Sequence, residues 1–368
     1  MFRDLPDPRA TTVNFRHALI DILTIAVCAI IGRANTWEQI AEYGRRKEPF
    51  FRRFLTLGNG IPSHDTFYRV FTRLRPAAFA DRFAAWMAAA CQGTGLTPIA
   101  IDGKSTRRAK RVDAATGCLH VVSAWATANR LTLRQVAVPN GTNETGVIPD
   151  LLATPDLAGA IVTIDAAGYQ AANARLIRGG GGHYLLAVKG TQPTLEAAVH
   201  AGFADADAAG FEGTRFDHHT TTEAGHGRHE ERSVSVIYDP KGLPPEWVDA
   251  AAVVSELRER TAGGATTTTA HYYLSSHAGS AAAMAGYVRG HWGIESMHWV
   301  LDVAFREDES RTSDLNAGAN LAMLRRVVVS LLKRVTAKGS IETRRLMAAW
   351  DDDFLLKVLQ GIPAVSSA

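Results

Sequence analysis

The stretch "TPIAIDGKS", residues 97–105, decides the fold class, because its β-branched apolar run leads directly into an aspartate and a glycine. Short apolar runs bounded by Gly, Pro, Asn or Asp are typical of β-strands. The same pattern predicts four later strands: "LHVVSAWAT" (119–127), "LTLRQVAVP" (131–139), "GAIVTIDAAG" (159–168) and "HYLLAVKG" (183–190). Helices are predicted from near Asn143 and over residues 169–181. The chain therefore predicts an α/β fold in which three strands precede the first helical crossover.

With the helical pattern that returns at Ala281, the order becomes β-β-β-α-β-α-β-α, which is that of a ribonuclease H-like core. Residues 15–95 have helical patterns instead, and two of these short helices have a weak likeness to a helix-turn-helix with Arg69 and Arg73 on the second. We expect four regions: a helical, DNA-binding N-terminal domain (1–95), the first part of the catalytic core (96–190), a mainly β insertion (191–285), and the last catalytic helix with a helical C-terminal region (286–368).

Composition limits the classes of function. The 368 residues are 46% hydrophobic, and the net charge of +3 is concentrated toward the two ends of the chain, which suits a polyanionic partner as well as a solvated surface. Three widely spaced cysteines offer neither a disulfide framework nor a CxxC metal site, so a reducing cytoplasm is expected. The apolar run at 18–31 is shorter than a membrane span and is interpreted as a buried core helix, with no membrane partner.

Two aspartates occupy equivalent places in the predicted sheet. Asp102 ends the strand in "IAIDGK" and Asp165 ends the strand in "VTIDAAG", and each is followed closely by glycine. An aspartate at a strand end often only begins a turn. Here the first and fourth strands are expected to be neighbours, which would bring both carboxylates to one edge of the sheet. Two like charges held together favour a bound cation, and Mg²⁺ prefers carboxylate oxygens.

Several ordered motifs carry a resemblance to a known family. They include "NGIPSHDTFYRVF" (59–71), "IAIDGKSTR" (99–107), "VTIDAAGYQ" (162–170), "HYLLAVKGTQPTL" (183–195) and "RGHWGIESMHWVLDVAFREDESR" (289–311). Over nearly its whole length the chain resembles the DDE transposases of bacterial insertion sequences, in the branch that includes the H-repeat-associated proteins. The resemblance implies that Asp102, Asp165 and Glu295 are catalytic and hold two Mg²⁺ ions, for which Mn²⁺ could substitute.

The helix that carries Glu295 contains other acids. Asp302 lies seven residues after Glu295 and shares its helix face, but about 10 Å further along the axis, so only one of the two can readily join the strand-end aspartates. Glu307, Asp308 and Glu309 are expected on the solvated surface. Trp292 and Trp299 are expected to be core anchors rather than base-stacking platforms.

Related transposases carry a Tyr and an Arg before this Glu and a Lys after it, and here the pattern departs. Tyr287 and Arg289 lie near the first two places, but His291 stands four residues before Glu295 and Asp302 seven after it. Arg289 is the first choice for the supporting basic group and His291 the second. His291 and Asp302 are both expected close to the metal ligands without binding the metal.

Basic side chains around the aspartates are candidates for DNA contact. The densest cluster follows Asp102 directly, and Lys and Arg in such places can hold a phosphate backbone that the acids would repel. The predicted DNA-binding residues are Lys104, Arg107, Arg108, Lys110, Lys189, Arg228 and Arg289.

The function expected from these residues and the resemblance is that of a bacterial DNA transposase. It would bind double-stranded DNA, hydrolyse phosphodiester bonds at the element ends and transfer the strands into target DNA. Because two ends must be handled together, a homodimer on DNA is expected. Two alternatives stay open: a ribonuclease H-like metal-dependent nuclease that cuts without joining, and a catalytically retired protein that only binds DNA.

Overall fold

The structure is a computed structural model, and it describes residues 5–9, 15–90, 97–110, 118–139, 142–153, 157–165, 168, 170–225 and 227–361. These residues fall into two compact units. The first comprises Met1–Gln92, Gly103–Asn143 and Glu295–Ala368, and the second comprises Gly93–Asp102 and Glu144–Ile294. One strand and one helix run from one unit into the other, so each unit is described by itself.

The helices are α1 (Leu19–Ile31), α2 (Trp37–Arg46), α3 (Glu48–Phe51), α4 (His64–Arg73), α5 (Pro76–Ala90), α6 (Glu144–Leu152), α7 (Ala171–Gly179), α8 (Pro193–Ala208), α9 (Ala281–Val303), α10 (Leu315–Arg334), α11 (Ile341–Trp350) and α12 (Asp352–Gln360). The strands are β1 (Thr97–Lys110), β2 (Cys118–Ala126), β3 (Leu131–Ala137), β4 (Ala160–Ile164), β5 (His183–Val188), β6 (Phe216–Gly225), β7 (Arg228–Tyr238), β8 (Ala252–Ala262) and β9 (Ala265–Ser275).

The first unit is built around α10, which is buried along nearly its whole length. This helix begins at Asp314, whose carboxylate accepts a hydrogen bond from the backbone N–H of Ala317 at 2.8 Å, as an N-cap does. It packs against α1, α4, β2 and β3. The buried Asn320 side chain donates to the carbonyls of Phe71 and Leu74 and so satisfies the carboxyl end of α4.

Among the described helices, only α10 has the length and apolar character of a membrane span, and 89% of that stretch is buried inside the protein. Such burial is typical of a core helix. The run at 18–31 forms α1, in which eleven residues are buried, and its Cys28 is fully buried. The prediction of a buried core helix there is confirmed.

In the second unit the strands follow the order β1-β4-β5-β9-β8-β7-β6. β1, β4 and β5 pair in parallel, and the remaining strands pair in antiparallel fashion from β5 outward. In the first unit β3 pairs antiparallel with β2, and β2 neighbours β1. The predicted order of three strands, helix, strand, helix and strand is therefore present, and β1 and β4 are neighbours as expected.

In the region predicted as a mainly β insertion, three stretches have strand patterns (228–239, 251–261 and 263–277), and the structure contains two further elements. α8 fills its first part, and β6 precedes the first predicted strand. α8 was missed because its apolar residues are mostly alanine, which gives little periodic contrast, and β6 because "FDHHTTTEAG" is polar on both faces and mostly exposed. The strands β6–β9 also extend the sheet of β1, β4 and β5 through the β5–β9 pair.

Three side chains near the end of α9 differ from expectation. Trp292 and Trp299 are 40% and 64% exposed, so the prediction that they are core anchors is wrong. Glu307, expected on the surface, is fully buried and accepts a 3.1 Å hydrogen bond from Arg326, whose Nε donates to Ser123. The reason is local: Arg306 adopts a left-handed backbone conformation after α9 ends, and a 3-10 turn over Glu307–Glu309 then directs Glu307 inward.

This buried pair gives a stability prediction. Glu307→Ala should lower the free energy of unfolding by about 3–5 kcal/mol, because it leaves the buried Arg326 guanidinium without its carboxylate. Glu309→Ala is the matched control, since Glu309 is exposed two residues away, and it should change stability by less than about 0.5 kcal/mol. Urea unfolding of the two variants measures the difference, and equal effects would contradict the buried placement.

Candidate active site

Asp102 and Asp165 both directly follow the paired segment of β1 and β4, whose register ends with Ile101 opposite Ile164. Asp165 comes just after β4 ends, as predicted, but Asp102 was wrongly predicted to end its strand: β1 continues beyond it to Lys110, where β2 is its neighbour. Adjacent strands lie about 4.8 Å apart, so this register holds the two aspartates side by side. Gly168 follows within three residues of Asp165, and a Cβ built on it would come within 2.4 Å of the Ile148 and Ile164 side chains. Glycine at this position therefore allows the chain after Asp165 to turn back closely against β4.

A lysine neutralises one of these aspartates. Lys189 follows the end of β5, and its ammonium lies 3.1 Å from Asp165 Oδ1. Both side chains are about half exposed, so the pair is screened by solvent and contributes little to stability. The pair shows that the Asp165 carboxylate is accessible to a cation, as a ligand of a divalent ion must be. Lys189 therefore pairs with a proposed metal ligand in this structure.

His291 contacts the strand that carries Asp165. On α9, the His291 Nδ1 atom lies 2.9 Å from the Thr163 hydroxyl, which also lies 3.4 Å from the Ile99 carbonyl. Burial lowers the pKa of His291 below its ordinary value; the Asp165 charge opposes this shift and the Lys189 charge adds to it. A neutral imidazole at neutral pH is therefore favoured, which suits a positioning contact better than a contact to phosphate.

The two other predicted basic groups of the second unit lie on its exposed parts. Arg289 pairs with Glu223 of β6 at 2.6 Å, and both side chains are about half exposed. Arg228 is exposed at the start of β7. Neither placement tests a DNA contact, and both leave the guanidinium accessible to solvent.

In the first unit, Glu295 is exposed on α9. Two turns further along the same helix, Asp302 accepts a 2.7 Å hydrogen bond from Lys104, and Asp308 lies 3.6 Å from the same ammonium. The Lys104 side chain is only 8% exposed. Lys104 is therefore held between two carboxylates and is not among the DNA contacts that we propose below. Asp308, expected to be a solvated ion-pairing residue beside Arg306, instead contacts β1.

The remaining members of the basic cluster differ in accessibility. Arg107 is 83% exposed although its Nε lies 3.2 Å from Asp308, and Arg108 is also exposed. The side chain of Lys110 lies outside the described residues. This part of β1 thus offers two accessible guanidinium groups for an anionic partner.

No group of three or more His, Cys, Asp or Glu side chains in the described part of the chain is close enough to hold a metal ion. The structure brings Asp102 and Asp165 together, and it pairs Asp165 with Lys189. Two carboxylates on adjacent parallel segments of the sheet fit a divalent cation by their chemistry, since hard cations prefer carboxylate oxygens.

Two contacts were not foreseen from the sequence. Thr163 of β4 lies two residues before Asp165, and Lys104 of β1 lies two residues after Asp102. Both Thr163 and Lys104 contact side chains of α9. The sequence spacing could have indicated these contacts. Residues two apart on a strand share a face, as do residues seven apart on a helix, so Lys104 follows Asp102 on β1 as Asp302 follows Glu295 on α9. Which acid on α9 would meet Lys104 could not be read from that spacing.

Sequence comparisons identify the family of the chain. A family model described as "Transposase DDE domain" matches residues 93–331, and one described as "DDE_Tnp_1-associated" matches residues 1–87. The chain belongs to the DDE transposase family.

Curated relatives of this transposase family member cover most of the chain. It is 32% identical over 371 residues to the "H repeat-associated putative transposase YhhI" of Escherichia coli K12, with 97% of this chain and 96% of that protein covered. It is 33% identical to the "Putative transposase YncI" of E. coli O157:H7, covering 96% of this chain and 92% of the relative. An uncharacterized protein of Xanthobacter autotrophicus is 42% identical over 67% of this chain and 83% of its own length.

The Lys104–Asp302 pair gives a test of the transposase structure by a double-mutant cycle. Lys104→Met removes the cation that Asp302 and Asp308 share, and Asp302→Asn leaves the largely buried Lys104 ammonium with only the more distant Asp308. Each substitution should therefore lower the free energy of unfolding by about 1–3 kcal/mol. The free energy of unfolding lost in the double variant should be smaller than the sum of the two single losses, by about 1 kcal/mol or more, because residues in direct contact are coupled. Arg107→Met is the control, because its guanidinium is exposed. Additive losses in the cycle would show that the pair does not form.

Proposed function

We propose that this protein is an active DNA transposase of a bacterial insertion sequence, which hydrolyses phosphodiester bonds at the element ends and transfers the strands into target DNA. The observation that supports this most strongly is the register of β1 and β4, which aligns Asp102 with Asp165. Membership of the DDE transposase family supports the same function. A ribonuclease H-like core is part of the proposal, and the strand order β3-β2-β1 in one unit and β1-β4-β5 in the other is in keeping with it.

Asp102, Asp165 and Glu295 are the proposed metal ligands, with Mg²⁺ as the metal and Mn²⁺ as a substitute. Two ions held by these carboxylates would supply Lewis-acid activation of the attacking water or DNA 3′-OH and stabilisation of the leaving 3′ oxygen. Two continuous elements support the choice of Glu295: β1 carries Asp102 and then Lys104, and α9 carries Glu295 and then Asp302. Since Lys104 bonds to Asp302, the strand of one ligand is tied to the helix of another.

Other side chains have supporting roles in this proposal. Lys189 neutralises Asp165 before the metal arrives, so the aspartates tolerate each other in the free protein. Thr163 and His291 fix α9 against β4 through their 2.9 Å contact, which orients the helix that carries Glu295. Arg107, Arg108, Arg228 and Arg289 are the proposed contacts to the DNA backbone, since their guanidinium groups are accessible and phosphate contacts position DNA without reading its sequence.

The partners in this proposal are the two element ends and the target, all double-stranded DNA, and a second copy of the chain. A homodimer on DNA follows from the reaction, because both ends must be cut and joined together. The place of action is the bacterial cytoplasm, at the nucleoid.

The proposal predicts the behaviour of one substitution at the strand ends. Asp165→Asn should lower Mg²⁺-dependent cleavage of DNA from the two flanks of the gene by about a thousandfold or more, because it removes a charge that acts on the transition state. Binding to the same DNA should stay within about threefold of wild type. Strand cleavage and joining are followed on labelled DNA, and binding by gel shift without metal.

Asp207→Asn is the matched control, because Asp207 is an exposed aspartate on α8 of the same unit. Wild-type cleavage by Asp165→Asn would overturn the site assignment. Cleavage without joining by the wild-type protein would favour the nuclease, and binding without any cleavage would favour the retired DNA-binding protein.

A further inference from the structure

A cavity of about 510 Å³ lies in the first unit, and neither Asp102 nor Asp165 lines it. Its walls are the start of α2, one residue of α4, the segment 306–313 after α9, and α10. Its volume falls within the roughly 300–1,000 Å³ that is common for small-ligand sites, so it could hold one nucleotide but not a duplex. None of the DNA contacts predicted from the sequence, apart from Arg108, lines it.

The cavity carries an excess of positive charge. Four arginines (108, 306, 311 and 325) and two glutamates (38 and 309) line it, a balance of +2. The glutamates are already engaged: Glu309 lies 3.9 Å from Arg306. Hydrogen bonds from its own backbone N–H and from Thr36 lower the pKa of Glu38. The unbalanced charges belong to arginines, which suit the flat, multidentate contacts of a phosphate group.

Arg325 provides the second, independent sign of an anionic ligand. Its side chain is only 2% exposed, and the Glu307 carboxylate lies 3.9 Å from its Nη1 atom. Within the described part of the chain, Arg325 Nη2 is buried without a hydrogen-bond partner. Burial lowers the pKa of Arg325, the Glu307 charge opposes the shift, and the Arg326 charge adds to it. A buried guanidinium edge without a partner costs free energy, which a bound anion would recover.

Two aromatic rings line the same cavity. Trp37, the first residue of α2, and Tyr68 of α4 have ring centroids 6.3 Å apart and are both partly buried. Aromatic faces next to a cationic groove are the usual platform for the bases of single-stranded nucleic acid. The helix end itself contributes little, because Thr36 and Gln39 already cap the first turn of α2.

We infer that this cavity, the arginine pocket, binds one unpaired nucleotide of a DNA strand, with its phosphate against Arg325 and Arg311 and its base against Trp37 and Tyr68. The inference rests on the proposed function for the choice of DNA over a free nucleotide. β1 supports that choice, because the strand that carries Asp102 also carries Arg108, which lines the pocket.

The test is binding of fluorescein-labelled oligo(dT), about 20 nucleotides long, to the full-length protein without divalent metal. Tyr68→Leu should raise the Kd for this strand about tenfold by removing the stacking ring, whereas Tyr68→Phe should bind like wild type. Arg311→Gln should raise the Kd and reduce the slope of log K against log salt by about 0.7, the loss of one phosphate contact on a single strand. The Kd for a duplex of equal length should change less than about twofold in Tyr68→Leu.

Arg82→Gln is the matched control, because Arg82 is an exposed arginine of the same unit that does not line the pocket. Thermal unfolding within a few degrees of wild type shows that each variant is folded. Losses in Tyr68→Leu and Arg311→Gln no larger than in Arg82→Gln would overturn the pocket while leaving the transposase proposal intact. Equal losses for duplex would overturn the unpaired nucleotide. Free dTMP binding as tightly as the strand would overturn the choice of DNA, and a wild-type protein that binds no DNA would overturn both proposals.

Discussion

The parallel pairing of β1 with β4 is the constraint on which the rest of the structure depends. A shift of one residue in this register would turn the side chains of one strand to the other face of the sheet. In the observed register Ile101 is opposite Ile164, so Asp102 and Asp165 follow at the same level. The same strands place Lys104 and Thr163 two residues from the aspartates, and both side chains contact α9. The register of β1 and β4 therefore determines the positions of the two aspartates and of the two side chains, Lys104 and Thr163, that contact α9.

Several carboxylates of the protein are paired with cationic side chains. Four carboxylates near the sheet have a cation as partner: Asp165 has Lys189, Asp302 and Asp308 share Lys104, and the buried Glu307 has Arg326. The buried pairs are costly to break, because removing one partner leaves a buried charge uncompensated. The exposed Lys189–Asp165 pair is weak and exchangeable, which suits a place where a metal ion is proposed to enter. Arg325 stands apart as a buried cation whose Nη2 has no partner among the described residues, and this is what marks the arginine pocket.

The sequence predicted helices and strands well where apolar runs are clearly bounded by polar residues, glycine or proline. The start of the strand at residue 97 and the helix near Asn143 could be placed from β-branched runs and from the glycines beside them, and the pairing of β1 with β4 followed from the order of elements. The end of β1 could not be placed, because the polar residues after Asp102 look like a loop but continue the strand to Lys110. Long-range facts could not be predicted. Glu307 looks like the exposed Glu309, and only the left-handed Arg306 and the distant Arg326 separate them. Trp292 and Trp299 look like core residues, but the face of α9 that carries them is exposed.

The central claim is that the aspartates aligned by β1 and β4 bind a divalent metal. Anomalous diffraction from crystals of the full-length protein soaked in Mn²⁺ tests it most directly. The account predicts a Mn²⁺ peak about 2.0–2.3 Å from carboxylate oxygens of both Asp102 and Asp165, with Glu295 completing the ligands and Lys189 displaced from Asp165. A Mn²⁺ peak bound elsewhere, with Lys189 still paired to Asp165 and no metal between the two aspartates, would contradict it.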